Sequence, residues 1–198
     1  FIGVYRNADT PIGYLAPSTS RDFSPQWSPD GTQIAYVRIA GSGGPPQDPL
    51  VEANQPWAIW VEDVRTAHAH QVWHSGTGSR DSLPQIKGPQ LNWVAGNNLI
   101  FISEQTNWPH IYEVSANGPE HAARLLTPGR FMVEDIAISP DLQTIYYTAN
   151  AGTTPGDDDR RHIFRVSAQR GAPVTVTHGT NSEWWPAATS DGVAYVQA

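Results

Sequence analysis

The chain has 198 residues, 39% of them hydrophobic, enough for one sizeable core or a small array of repeats. Its formal net charge of −7 argues against nucleic acid or anionic lipid as a partner, and no run of 18 apolar residues offers a helix that would cross a membrane. The absence of cysteine excludes disulfides, thiolate metal ligands and cysteine nucleophiles, and leaves the compartment open between a periplasmic or secreted location and the cytoplasm.

Phe1 opens the chain without a Met or a signal-peptide pattern, so the sequence reads as the interior of a longer protein. Residues 2–6 and 12–16 read as two short strands. Residues 24–37, SPQWSPDGTQIAYV, then set a pattern: an apolar stretch ending on Trp27, a compact Ser-Pro-Asp-Gly turn, and an apolar strand at 34–37. Pro29 presets φ, Asp30 bonds the nearby backbone and Gly31 accepts positive φ, so the segment predicts a β-hairpin. A Gly- and Pro-rich insertion occupies 40–56 and is a candidate functional loop. AIWVEDVRT (58–66) and residues 70–73 read as the next strands. A looser hairpin follows, with Trp93, an Ala-Gly-Asn-Asn turn at 95–98 and an apolar strand at 99–102.

HIYEVSANG (110–118) leads into a short strand at 122–126. Ile138-Ser139-Pro140-Asp141 then repeats the first turn without a gap, Asp141 standing for Asp30, and 145–148 repeats its strand. HIFRVSAQRG (162–171) echoes 110–118 and leads into a strand at 173–177. The last copy carries Asp191-Gly192 in a turn two residues shorter, followed by Val-Ala-Tyr-Val at 193–196, and the sequence stops in mid-strand.

Two echoes in the same order make an internal repeat. Its spacings are 66, 45 and 50 residues, and removing the 40–56 insertion brings the first near the others. A period of about 45–50 residues with four short strands is that of propeller blades. Strands apolar on both faces suit blades covered on both sides, and no stretch keeps a helical period over three turns. The expectation is therefore an all-β partial β-propeller of two, twelve and two strands: a half blade (about 1–20), three blades (22–74, 89–126 and 132–178) and a half blade (185–198). Open half blades leave strand edges that continue into further blades, or pair with each other or with a second copy.

The WSPDG turn and IAYV strand resemble the TolB-like, WD-like propeller repeat, over nearly the whole chain. TSRDFSPQWSPDGTQIAYVR and ISEQTNWPHIYEV further resemble the N-terminal propeller of the prolyl oligopeptidase family of serine peptidases, in its dipeptidyl peptidase IV and acylaminoacyl-peptidase branches. The segment from Ser103 to Tyr112 carries that likeness, being similar to a Ser-Glu…Trp-x-His-Leu-Tyr stretch. The resemblance implies a non-catalytic domain that gates or docks peptides for a C-terminal α/β-hydrolase domain of the same parent chain. The hydrolase requires a Gly-x-Ser-x-Gly elbow. Neither 41–44 nor 76–80 fits that pattern, and no catalytic residue is assigned. The paired Glu with which dipeptidyl peptidases hold a free amino terminus is also absent from the sequence. The alternative is a TolB-like scaffold for protein–protein interaction with no enzymatic activity.

Four residues stand as contact candidates for a substrate or partner: Glu104, Trp108, Arg160 and Arg161. The Asp157–Asp158–Asp159 run lacks EF-hand spacing and reads as a solvated, locally neutralised loop, the alternatives being Ca²⁺ binding and contact with a further domain. His68, His70 and His74 lack a fourth ligand and read as exposed or satisfied histidines in a turn between outer strands, so no metal or cofactor is expected. Trp27 and Trp93, at equivalent repeat positions, are expected to pack between blades. Trp184 and Trp185 point to opposite faces and are both buried only if both faces are covered. Asp30, Gly31, Asp141, Asp191 and Gly192 are assigned to the turns. The acidic surface favours basic or free-amine peptides.

Overall fold

The computed structural model describes residues 1–41, 43, 48, 50–51 and 53–198. Seven positions of the 40–56 insertion thus lie outside the described residues. Among the described residues, sixteen strands form five antiparallel sheets, each following chain order from one side to the other. A two-stranded sheet of β1 (Gly3–Val4) and β2 (Gly13–Tyr14) comes first. The first four-stranded sheet holds β3 (Arg21–Trp27), β4 (Gln33–Ile39), β5 (Trp57–Asp63) and β6 (His68–His74). The second holds β7 (Asn92–Val94), β8 (Asn98–Ser103), β9 (His110–Ser115) and β10 (Arg124–Leu125). The third holds β11 (Val133–Ile138), β12 (Thr144–Ala149), β13 (His162–Ser167) and β14 (Val174–Thr175), and β15 (Glu183–Ala188) with β16 (Val193–Gln197) closes the series. The fold is an all-β partial β-propeller with the expected two, twelve and two strands. The two opening strands are shorter than expected, because their ladder holds two residue pairs only, Gly3 with Tyr14 and Val4 with Gly13.

Side-chain alternation explains the stacking. In β8, Leu99 and Phe101 enter a core shared with Trp57 and Trp73 of the first four-stranded sheet. Ile100 and Ile102 point the other way, into a core shared with Val133, Ile145 and Tyr147 of the third. Every one of these side chains is buried. Trp93 behaves as expected: it is buried, and its indole N–H donates to the Gln26 carbonyl of β3 at 2.9 Å. Trp27 does not, being 52% exposed. The preceding sheet packs on Ile34, Tyr36 and Trp60 of β4 and β5, and so stops short of β3. Trp185 is also exposed, on a β-bulge where its φ is +52°.

The turns carry the repeat chemistry. Ser28 Oγ donates to Asp30 Oδ1 at 2.6 Å and accepts the Gln33 N–H at 2.9 Å. Asp30 Oδ1 also accepts the Thr32 N–H at 3.0 Å. Ser139, Asp141, Gln143 and Thr144 repeat this set. In both turns the serine hydroxyl, followed by a backbone N–H, holds the aspartate below the ordinary carboxylate range. Gly31 has φ +70°, and its counterpart Leu142 adopts +62°, so the second copy accepts a left-handed conformation that glycine takes without strain. Gly192 has no such φ, in keeping with its shorter turn. Gly31→Val should lower stability by about 1–2 kcal/mol, because a β-branched residue is a conformational outlier there although the space is open. An unchanged midpoint in thermal denaturation would contradict this.

Candidate functional site

Antiparallel order sends the connections to two opposite ends of the sheets. The serine–aspartate turns lie at one end. The β4–β5, β8–β9 and β12–β13 connections lie at the other, together with the crossings between sheets at 75–91, 126–132 and 176–182. At this loop end, between the second and third four-stranded sheets, a pocket of about 310 Å³ opens. Ile102, Pro109, Met132 and Val133 form its apolar surface, with Pro84 and the exposed Ile86 on the crossing from β6. Lys87, Glu104 and Glu134 also line it.

Each charged residue has a partner of opposite sign. Arg80 Nη1 lies 3.4 Å from Glu104 Oε2, Lys87 Nζ 2.6 Å from Asp135 Oδ1, and Arg161 Nη2 2.7 Å from Glu134 Oε1. The walls are tied together by Gln90, whose side-chain amide donates to the Glu134 carbonyl at 2.7 Å and accepts the Ile136 N–H at 3.3 Å. β11 is bulged between Val133 and Ile136, while Lys87 and Gln90 sit at φ +60° and +44°. Such backbone persists where the surroundings hold it in place. Among the described residues, no Ser, Cys or His lines the pocket. It can hold an apolar group next to a charged one, and it offers no serine or cysteine nucleophile.

Beside it runs a buried polar chain. His162 Nδ1 lies 2.8 Å from Glu183 Oε2, and His162 Nε2 lies 3.6 Å from Asp157 Oδ1. Thr177 Oγ1 donates to Glu183 at 3.0 Å and accepts the Ile163 N–H at 2.8 Å. Asp157 accepts the Thr154 N–H at 2.7 Å and Arg160 at 3.1 Å. The Thr154 N–H, opposed by burial and reinforced by Arg160 and His162, keeps Asp157 below the ordinary carboxylate range. The expectation of a solvated acidic loop is therefore corrected at Asp157, which is buried; Asp158 and Asp159 are exposed. Gly152 permits the fold of this loop, since a Cβ there would meet Asp157 side-chain atoms at 2.2–2.4 Å. The preceding repeat has the same frame in simpler form: Thr127 Oγ1 accepts the Ile111 N–H, and His110 faces the Gly129 carbonyl at 3.2 Å. Burial holds His110 below the ordinary histidine value, against that hydrogen bond.

Among the four contact candidates, Glu104 lines the pocket and Arg161 anchors Glu134 on its wall. Arg160 turns to Asp157 instead, and the half-buried Trp108 of the same loop end lies outside the lining. Lys87, Gln90, Met132 and Glu134 escaped the sequence reading. The signal for them was faint: two separate segments, 87–90 and 132–134, with no shared motif. The 68–74 stretch is strand β6 and not a turn. In it His70 Nε2 faces the Ala116 carbonyl at 3.2 Å and His74 Nε2 lies 2.9 Å from Glu120. No three such side chains among the described residues are placed to hold a metal ion.

The family model of the dipeptidyl peptidase IV (DPP IV) N-terminal region matches residues 57–198. Among curated proteins, the uncharacterized peptidase YuxL of Bacillus subtilis (strain 168) is 27% identical over 158 residues, covering 77% of this chain and 20% of that protein. The chain thus spans about a fifth of the length of that relative. Among solved structures, a puromycin hydrolase superposes with a TM-score of 0.63 at 14% identity, over 94% of this chain and 27% of its own. TolB from Acinetobacter baumannii does so with 0.53 at 17% identity, over 93% and 40%. At these identities the structural likeness establishes the propeller fold alone.

Proposed function

Because the chain belongs to the family of the dipeptidyl peptidase IV N-terminal region, the propeller region of a peptidase family, we propose that it docks peptide substrates for a C-terminal α/β-hydrolase domain of the same protein. The observation that supports this is the loop-end pocket: an apolar floor for a side chain, flanked by Glu104, Glu134 and Lys87 for a charged backbone terminus or side chain. A division of labour follows. The propeller binds and orients, and the hydrolase supplies the catalytic serine and histidine, which the pocket lacks, with the acid that orients them. The net charge of −7 assists the approach of basic peptides.

Met132 lines the pocket and is the only methionine in the chain, so its methyl resonance is a built-in reporter. Titration of ¹³C-methyl-labelled protein with apolar dipeptides and tripeptides should shift that resonance. Glu104→Gln should weaken amine-bearing peptides by about tenfold, the worth of one charge-assisted hydrogen bond. A Met132 signal indifferent to every peptide would overturn the docking role. For the hydrolase, a fluorophosphonate probe on the native protein should label a band that an antibody to this propeller also recognises. An unlabelled band would leave the propeller as a protein-interaction scaffold.

A further inference from the structure

A second cavity, of about 120 Å³, lies at the turn end of the molecule, in the seam between the β1–β2 sheet and the first four-stranded sheet. Its walls come from the β1–β2 turn (Arg6 and Pro11), from Tyr14 and Leu15, and from the end of β5 (Glu62 and Val64). Glu62 is the unusual member. It is 2% exposed, and its Oε2 has no hydrogen-bond partner. Alternation along β5 explains how a carboxylate came to lie there: Trp60, Glu62 and Val64 share the face that packs on β1 and β2.

Arg38 acts on Glu62 by its charge but directs its donors elsewhere. Arg38 gives Nε and Nη2 to Asp22 at 2.6 and 3.0 Å, gives Nη2 also to the Ala16 carbonyl at 2.8 Å, and lies over the Trp60 ring. The charged and titratable groups around Glu62 are thus Asp22 from β3, Arg38 and Tyr36 from β4, the Tyr36 hydroxyl being likewise buried without a partner, and Arg6 from the β1–β2 turn, whose Nη2 is bonded to the Val64 carbonyl at 3.0 Å. A buried carboxylate with an unmet oxygen on a cavity wall is stabilised by a cationic donor that fits the cavity. The volume holds about four water-sized groups, and the half-exposed Tyr14 offers an aromatic face.

We infer that the seam cavity is a binding site for a small organic ammonium group, held by the Glu62 carboxylate against the Tyr14 ring. The ammonium comes either as a free small amine or as the end of a lysine side chain on a partner. This site is separate from the loop-end pocket and does not depend on the docking role given to that pocket.

The test is NMR titration of the chain with methylammonium, following the Ala16 and Glu62 amide signals. Binding should be millimolar, as befits two heavy atoms, and tetramethylammonium, which has no N–H to donate, should be at least tenfold weaker. Affinity should fall as pH is lowered, since burial raises Glu62 above the ordinary carboxylate range and protonation removes the charge that attracts the ammonium. Glu62→Gln should abolish binding. Arg6→Ala should strengthen it several-fold by removing a competing positive charge, and this variant keeps the test open if the Glu62 substitution unfolds. Nα-acetyl-lysine methylamide separates the sources: affinity equal to methylammonium supports a partner's lysine, and weaker affinity supports a free amine. Equal binding by Glu62→Gln, or no binding of methylammonium to folded protein, would overturn the proposal.

Discussion

Glu183→Ala should lower the unfolding free energy by about 3–5 kcal/mol, the loss expected when one member of a buried, hydrogen-bonded polar cluster is removed and its partners are left unsatisfied. Glu183 opens β15 and is 2% exposed, and it is bonded to both His162 and Thr177. Its removal leaves His162 facing Asp157 alone and takes away the buried side-chain link between the last sheet and the third, leaving the backbone bond from Glu183 to Arg161 and the Ser182 hydroxyl on the Arg161 N–H. Glu183→Gln keeps hydrogen-bonding capacity and the side chain's shape and should lose about 1 kcal/mol. The repeat offers an internal comparison. Val133 stands at the same point of the preceding junction: its N–H bonds the Pro109 carbonyl, as that of Glu183 bonds Arg161. Glu183→Val should therefore fall between the other two variants. Urea denaturation followed by circular dichroism gives the order directly. An alanine variant within 0.5 kcal/mol of the parent, about the scatter of an ordinary surface substitution, would show that the buried chain adds nothing. In the parent, the share contributed by Asp157, whose folded-state pKa is depressed, is complete above the ordinary carboxylate range and lost as pH falls through the folded value.

Phe101→Ala should be of similar size, about 3–5 kcal/mol, for a different reason. The ring is fully buried in β8, 4.5 Å from Trp73, 5.6 Å from Trp57 and 5.9 Å from Tyr112, centroid to centroid. Its removal takes out the centre of the aromatic cluster that joins the first and second four-stranded sheets and leaves a cavity that rigid neighbouring strands fill poorly. Tryptophan fluorescence should change along with the midpoint, because two of the indoles lose the same neighbour. Ile100→Ala, one residue away on the opposite face, should lower the midpoint and leave that fluorescence alone. Equal fluorescence changes in the two variants would refute the assignment of the two faces to separate cores.

The strand count was legible because hairpins are local. Ser28 to Gln33 and Ser139 to Thr144 close their turns with side chains a few residues away, so composition and spacing reveal them. Two-sided burial of β8 was legible from Leu99 to Ile102 for the same reason. What depended on a neighbouring sheet was not. Trp27 and Trp93 are equivalent in sequence, and only the reach of the adjacent sheet separates an exposed indole from a buried one. Asp157 sits in a run of three aspartates, and nothing local marks it as the one that His162 and Thr154 draw inward. Glu62, in WVEDV, reads as the polar end of a strand, although alternation places it on a covered face. The loop-end pocket joins residues from 84 to 134, and Glu134 is aimed there by a bulge that leaves no signature in residue type.

The sharing of each core between two adjoining sheets has a consequence for cooperativity. Phe101 couples the first four-stranded sheet to the second, and Ile100 couples the second to the third, so neighbours are linked pairwise, in series. A series of this kind behaves like a one-dimensional lattice, in which total stability is a sum of unit and nearest-neighbour terms. Weakening one junction then divides the molecule into two cooperative blocks without loosening either. Cooperativity in this protein is a property of the four individual seams between its five described sheets, each open to separate adjustment.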